Sequence, residues 1–309
     1  MKVNKPDLPV HPYILLFVSI LAVAMSSILI KSSNTPPAVA GMYRLYLAVL
    51  LMIPFVPWKQ FRFLQIIRKE WSIVLLAGVF LGLHFLFWME SLLYTSVASS
   101  MVILTLQPLF VMIGSYFLFY ERVNFVMLLS MAAAVAGSIV IAWGDIGVSR
   151  AALVGDGLSL LGTIAFSVYM LAGQKVSHKL PANLYSILVF FLGGSVMLVY
   201  SLLNSFSLTD YGAADWTYFF LLALLPTVFG HFVFNLLLRF IGATTISVGV
   251  ISEPVLAIIL AYMFLGETMS MTQFIGGMFT IVGIGGYFWA KKTASMHRGG
   301  PIRQGQDSF

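Results

Sequence analysis

Residues Thr244-Thr245-Ile246-Ser247-Val248-Gly249-Val250-Ile251-Ser252-Glu253-Pro254-Val255 decide how this chain folds. An acid, Glu253, stands directly before a proline inside a long apolar run. The run ends in Leu265-Gly266-Glu267, thirteen residues beyond that proline (267 − 254). An earlier stretch has the same frame, with Gln107-Pro108 opening it and Glu121 closing it, again thirteen residues on (121 − 108). The two frames are offset by 146 residues (254 − 108), and the register holds from Leu92/Leu238 to Trp143/Trp289. Matches of Val with Val or Ile with Ile mean little among apolar segments. Proline, glutamate and tryptophan recurring at one offset mean more, and they identify an internal duplication.

Composition sets the solvent. Sixty per cent of the residues are hydrophobic and nine per cent are charged, against about 25% charged in a soluble domain. Apolar runs long enough to span a bilayer, about 20 residues each, follow one another along the chain. Ten spans are expected, at 12–30, 37–56, 72–91, 96–119, 125–143, 154–174, 181–204, 216–238, 243–265 and 271–290. The runs lack the alternation of strands, and an isolated strand cannot satisfy its backbone in lipid. The first run is too long for a cleaved signal peptide, and no small-residue cleavage site follows it, so it reads as a retained span. The expected fold is therefore an all-α integral membrane protein of ten transmembrane helices in two repeats, 12–145 and 154–292. The polar, Gly-rich segment 293–309 is expected to be a disordered cytoplasmic tail. There are no cysteines, so no disulfide framework is available.

Charge sets the orientation. With the N-terminus inside, Lys2, Lys5, Lys59, Arg62, Arg68, Lys69, Arg122, Lys175, Lys179, Arg239, Lys291, Lys292, Arg298 and Arg303 all fall on the inner side. Only Lys31 and Arg150 fall outside, and Arg44 sits within the second span. Basic loops stay cytoplasmic, so both termini are expected in the cytoplasm of a multi-pass cell-membrane protein. The net charge of +6 is then a topology signal, and no nucleic-acid partner is expected. Five spans per half is an odd number, so the halves should be inverted. That arrangement places a solute site near the midplane between them.

Polar stripes mark candidate site residues. In span three His84, Trp88 and Ser91 fall on one face, and in span eight Thr227, His231 and Asn235 are spaced by four. Ser159, Thr163 and Ser167 make a stripe in span six, and Thr245, Gly249 and Glu253 another in span nine. Polar groups facing lipid are costly, so these faces should turn to protein or water. Trp88, His84, Gln107, His231, Asn235 and Glu253 are the expected substrate-binding residues. Hydroxyls in spans also bond back to their own helix, which is the competing use of the Ser and Thr stripes. Pro108, Pro226 and Pro254 remove backbone donors mid-span, and carbonyls freed beside Glu253 would be further ligands. A carboxyl at that depth loses hydration, which disfavours its charged form, so Glu253 is the candidate proton-coupling group. Gly78 and Gly82, like Gly276, Gly277 and Gly283, have the small-residue spacing of close helix packing.

The paired frames Gln107-Pro108/Glu121 and Glu253-Pro254/Gly266-Glu267, with Lys31 and Arg44 in the first half, resemble the EamA-type branch of the drug/metabolite transporter superfamily. The second half departs from that pattern, having no arginine near 185–188. The resemblance implies a secondary transporter, an exporter or exchanger, of a small metabolite such as an amino acid or organic cation. It implies a central cavity built from spans one, three, four, six, eight and nine. The expected partners are the small-molecule solute, the lipid bilayer and, as a candidate, a second copy of the chain. No nucleotide loop, metal-ligand spacing or nucleophile elbow is present, so no cofactor, metal or catalytic residue is expected. Two other readings stand beside transport. One is an intramembrane enzyme using Glu253 and His231 as acid and base. The other is a non-transporting membrane scaffold or sensor.

Overall fold

The computed structural model describes residues 8, 10–57, 70–143, 149–265 and 270–297. It is 84% helix, with no strand among the described residues. In chain order the helices are α1 (Pro12–Ser32), α2 (Pro37–Met52), α3 (Trp71–Ser91), α4 (Val97–Leu104), α5 (Gln107–Phe119), α6 (Phe125–Ala142), α7 (Arg150–Val176) and α8 (Ala182–Leu203). Then come α9 (Ala213–Leu222), a π-helix (Ala223–Phe232), α10 (Val233–Val250), α11 (Glu253–Leu265) and α12 (Met271–His297). Phe117, Leu203 and Trp289 stand 71%, 79% and 66% exposed on the outer faces. Large apolar surface of this kind is stable only against lipid, and the chain is a multi-pass membrane protein.

Nine stretches among the described residues are long and apolar enough to cross a membrane. The difference from the expected ten lies at the eighth and ninth. Helical structure runs continuously over 213–250, and the backbone turns inside it at Gly242, whose φ is +77°. A side chain there would be strained, and glycine permits the turn. The Gln174 amide oxygen accepts the N–H of Ala243 just beyond it, at 2.5 Å. The expected ninth span is thus made of the last turns of α10, a break at Ile251–Ser252, and α11. The expected fourth span is divided in the same way, into α4 and α5 around Thr105–Leu106. The ends of α4 and α5 differ from 243–250 and from α11 by the same 146 residues as the sequence frames.

Packing follows the duplication too. The first helix of each half lies on the third-helix region of the other: α1 on the π-helix, and α7 on α3. The second helices, α2 and α8, pack together, and so do the fifth, α6 and α12. Small residues set these distances. A Cβ on Gly82 would stand 2.8 Å from the Gly193 carbonyl oxygen, and one on Gly137 would stand 2.6 Å from that of Gly276. In lipid, where apolar burial drives little, such close backbone approach is what holds helices together. Of the glycines read as packing surfaces, Gly277 alone has ample room, its Cβ position lying 3.7 Å from Val255.

The final helix continues to His297, so 293–297, expected as the start of a disordered tail, are helical. They extend an already nucleated helix, which needs no new nucleus. The remainder of that tail, the Gly266-Glu267 pair and the basic residues between 58 and 69 lie outside the described residues.

Candidate functional site

Both helix breaks open on one cavity. Leu104 and Gln107 line it from the first break, and Val250 and Glu253 line it from the second. Phe85, Trp88, His231 and Phe234 face it too, with Val23, Ser26, Arg44, His84 and Phe166. Its volume is about 20 Å³, room for about one water. The walls are therefore drawn together, and a solute would enter only after they part.

Five of the six expected site residues meet here: His84, Trp88, Gln107, His231 and Glu253. All are at least 95% buried, Glu253 being 5% exposed and Gln107 1%. His84 Nδ1 lies 2.9 Å from the Gly162 carbonyl oxygen. A carbonyl only accepts, so Nδ1 carries a proton and donates it to that oxygen. Gly162 makes that bond reachable by keeping α7 close to α3, since a Cβ there would stand 3.3 Å from the Trp88 nitrogen. The imidazole of His231 meets Phe85 edge-on at 5.1 Å and Phe166 at 5.5 Å.

Asn235 is the exception. Its side-chain oxygen accepts from Tyr169 Oη at 2.6 Å, and its Nδ2 donates to Ser186 Oγ at 2.9 Å. It ties α10 to α7 and α8 and does not line the cavity. The expected Thr227/His231/Asn235 stripe assumed a 3.6-residue turn. A π-helix holds 223–232 instead, and its wider turn shifts the register. Pro226 supplies the cause. Lacking an N–H, it cannot bond the carbonyl four residues back, and the Thr227 hydroxyl donates to that Leu222 oxygen at 2.8 Å.

Arg44 was read in the sequence as a residue within span two, and the cavity shows what it does there. It is fully buried. Its Nε donates to Thr227 Oγ1 at 2.7 Å and its Nη1 to Ser26 Oγ at 2.9 Å. The guanidinium lies 4.2 Å above the Phe85 ring. Span two therefore joins the expected set of cavity helices. The signal was a charge in mid-membrane, where charges are expensive and mark function.

Several cavity atoms have no hydrogen-bond partner: Arg44 Nη2, Trp88 Nε1, both amide atoms of Gln107 and His231 Nδ1. Hydroxyls at the two breaks bond back to nearby carbonyls. Thr105 Oγ1 donates to Val102 oxygen at 2.6 Å, and Ser252 Oγ to Gly249 oxygen at 2.7 Å. The Thr163 and Ser167 hydroxyls likewise bond back along α7.

Polar clusters close the bundle above and below the cavity. At one end the hydroxyls of Ser91, Ser100 and Ser159 bond one another, Ser159 lying 2.9 Å from Ser91 and 2.8 Å from Ser100, while Asp156 accepts from Thr95 and Ser99, each at 2.8 Å. At the other end Thr244 donates to Glu121 at 2.9 Å, and Lys291 donates to Thr245. Each cluster joins the two halves, so opening either end means separating them.

A family model described as the EamA-like transporter family matches residues 11–143 and 153–289. The chain is 25% identical over 284 residues to the uncharacterized transporter YdfC of Bacillus subtilis, covering 87% of each chain. It is 25% identical over 280 residues to an uncharacterized transporter of Archaeoglobus fulgidus, covering 88% of this chain and 95% of that one. A solved crystal structure superposes with a TM-score of 0.74 at 16% identity, over 91% of this chain and 98% of the other; at that identity the likeness is one of fold.

Proposed function

The chain belongs to the EamA-like transporter family, and on that premise we propose that it is a secondary transporter of a small polar or amphipathic metabolite, an exporter or exchanger. It works by alternating access. The polypeptide crosses the cell membrane ten times as two inverted five-helix halves, with both termini cytoplasmic. The observation that carries the proposal is the convergence of both helix breaks, and of the buried polar side chains of Ser26, Arg44, His84, Gln107, His231 and Glu253, on one cavity. Discontinuous helices meeting at the centre of an inverted repeat form the usual solute site of such transporters.

Several features support the cycle. The central void is small and a polar cluster lies at each end. Separating the halves at one end while the other stays bonded exposes the cavity to one side at a time. The hydrogen bonds exchanged are individually worth about 1 kcal/mol, so breaking one cluster and forming the other is nearly balanced. Glu253 couples the cycle to protons: its carboxyl releases a proton when a solute's positive group binds and regains it when the solute leaves, by reciprocal linkage.

The test is flux into proteoliposomes under an imposed pH gradient, using a labelled panel of amino acids and organic cations. The expected result is gradient-driven movement of at least one solute, and a Glu253→Gln variant that still folds but no longer responds to the gradient. No flux for any member of the panel overturns the transport reading. Wild-type pH dependence in Glu253→Gln overturns the coupling role and makes Glu253 a structural residue.

A further inference from the structure

A second, larger opening lies on the side of the bundle, between α1, α11 and α12. α1 packs on α11, and α12 packs chiefly on α6. The groove left between them has a volume of about 1150 Å³, above the roughly 300–1,000 Å³ of ordinary small-molecule pockets. Leu16, Ile20, Val255, Ile259, Ile281 and Ile284 make its wall apolar. At one end the wall gives way to His11, Lys291 and Lys292, and no acid stands among the residues that line it. From this we propose that the groove binds one anionic phospholipid, with an acyl chain along the apolar wall and the phosphate at the two lysines. The proposal goes beyond the transport reading and does not rest on it.

Depth and shape match one leaflet. From Ile281 to Lys292 the axis of α12 rises about 16 Å, eleven residues (292 − 281) at 1.5 Å each. The hydrocarbon core of a bilayer is about 30 Å thick, so the groove reaches about half-way across it. A helix from a second copy of the chain would need the full thickness; a lipid chain needs half. Trp289 stands exposed at the basic end, and tryptophan is enriched at the headgroup level of a membrane. Tyr13 meets Phe288 edge-on there at 5.3 Å and lies 5.4 Å from His11. These ring contacts tie the start of α1 to α12 and gather the donors round one opening.

Charge selects the headgroup. Lys291 spends one bond on Thr245, and an ammonium carries three donors, so the same group can also hold a phosphate oxygen. Lys292 follows it at the mouth, and His11 adds its ring nitrogens. A zwitterionic headgroup brings its own cation to this end, where two lysines repel it; an anionic headgroup brings none. The back of the groove is the second helix break. Gly249 and Ser252 line the groove, while Val250 and Glu253 line the central cavity. A Cβ on Gly249 would stand 2.9 Å from Leu16 Cδ2, so glycine lets α1 close the groove's inner edge. The lipid therefore rests against the outer side of the break that carries the acid.

The experiment counts the lipids retained by the full-length protein in detergent, by native mass spectrometry, with phosphatidylglycerol and phosphatidylcholine supplied in equal amounts. Wild type should retain one phosphatidylglycerol, preferred over phosphatidylcholine by about tenfold or more. Lys292→Gln removes one charge and should cut that preference about fivefold. Ile284→Trp fills the apolar wall, leaves the charges in place and should lower retention of both lipids. If Ile284→Trp does not fold, Ile281→Trp, on the same wall, replaces it. The proposal is overturned if wild type retains the two lipids equally, if Lys292→Gln keeps the full preference, or if the wall variant retains as much lipid as wild type. Displacement of phosphatidylglycerol by an equal concentration of inorganic phosphate would make the site one for a free anion. A dimer that forms without lipid and retains none would give the groove to a second copy, and either result sinks the proposal. Retention in the expected pattern without flux in proteoliposomes leaves the lipid site assigned and removes only the transport reading. Flux without selective retention keeps transport and sinks the lipid site.

Discussion

The helix breaks at 105–106 and 251–252 share a backbone and differ in their chemistry. In both, a short helix ends, two residues turn, and a 13-residue helix begins just before a proline. In both, a hydroxyl three residues on closes a carbonyl at the end of the first piece. Yet the residue opening the second helix is an amide in one half, Gln107, and an acid in the other, Glu253. Phe85 of the first half faces His231 at the same 146-residue separation, and Trp88 corresponds to Phe234. Arg44 has no arginine counterpart in the matching stretch of the second half, near 185–188. Duplication supplied the frame twice. The charges were added once each, on opposite halves, and they make one site out of two similar breaks.

The sharpest way to break this comparison is topological. If the halves are inverted, a cysteine at Ser207 is labelled from outside intact cells and one at Gln65 is not. The result is all-or-none, and the native chain has no cysteine to confuse it. Labelling of Gln65→Cys from outside would overturn the cytoplasmic termini, and labelling of both positions from the same side would end the inverted model.

Moving the acid comes next in size. Glu253→Gln should reduce gradient-driven flux by about tenfold or more, a difference of roughly 1.4 kcal/mol or more in coupling. The double variant Gln107→Glu/Glu253→Gln puts the acid at the equivalent break. If the breaks are equivalent in backbone and in access, that variant should regain part of the response to pH. Flux assays on the single and double variants side by side decide this; a double variant no better than Glu253→Gln would mean that the carboxyl must lie on α11.

Packing substitutions should have smaller effects. Gly82→Leu forces α3 from the Gly193 backbone, and Gly137→Leu forces α6 from Gly276. Overpacking costs about 1–3 kcal/mol, and both should lower the unfolding midpoint in detergent. A midpoint unchanged by Gly137→Leu would argue against a tight α6–α12 seam. The smallest effects should come from Thr105→Ala and Ser252→Ala. Each removes one hydroxyl-to-carbonyl bond, about 1 kcal/mol, and the two losses should match even though the hydroxyls stand one position out of the 146-residue register (252 − 105 = 147). Chemical denaturation of the pair would show a mismatch directly.

The larger pattern could be read from residues because it depends on rare ones. Pro108/Pro254 and Trp143/Trp289 fix the offset, and the offset places both breaks. His84, Trp88, Gln107, His231 and Glu253 converge because each is costly anywhere but inside. Asn235 was misplaced for a local reason. Pro226 changes the helical period from 3.6 to the wider π turn, and a stripe counted at i, i+4 loses register across it. The role of Arg44 depends on partners 18 and 183 residues away, Ser26 and Thr227, and no periodicity carries contacts of that range. The Thr163 and Ser167 stripe went to local back-bonding, since a hydroxyl can always find the carbonyl of its own preceding turn.

The seam between α6 and α12 has a consequence for how the protein is made. α6 completes the first half, but the glycine-lined face through which it packs is covered chiefly by α12, which follows it by more than 120 residues in the chain (271 − 142 = 129). During translation that face is bare while α7 to α11 are still being added. The first half therefore enters the membrane with that face of α6 uncovered and keeps it so until α12 arrives. A chain truncated before Met271 would leave α6 facing lipid where it should face a partner.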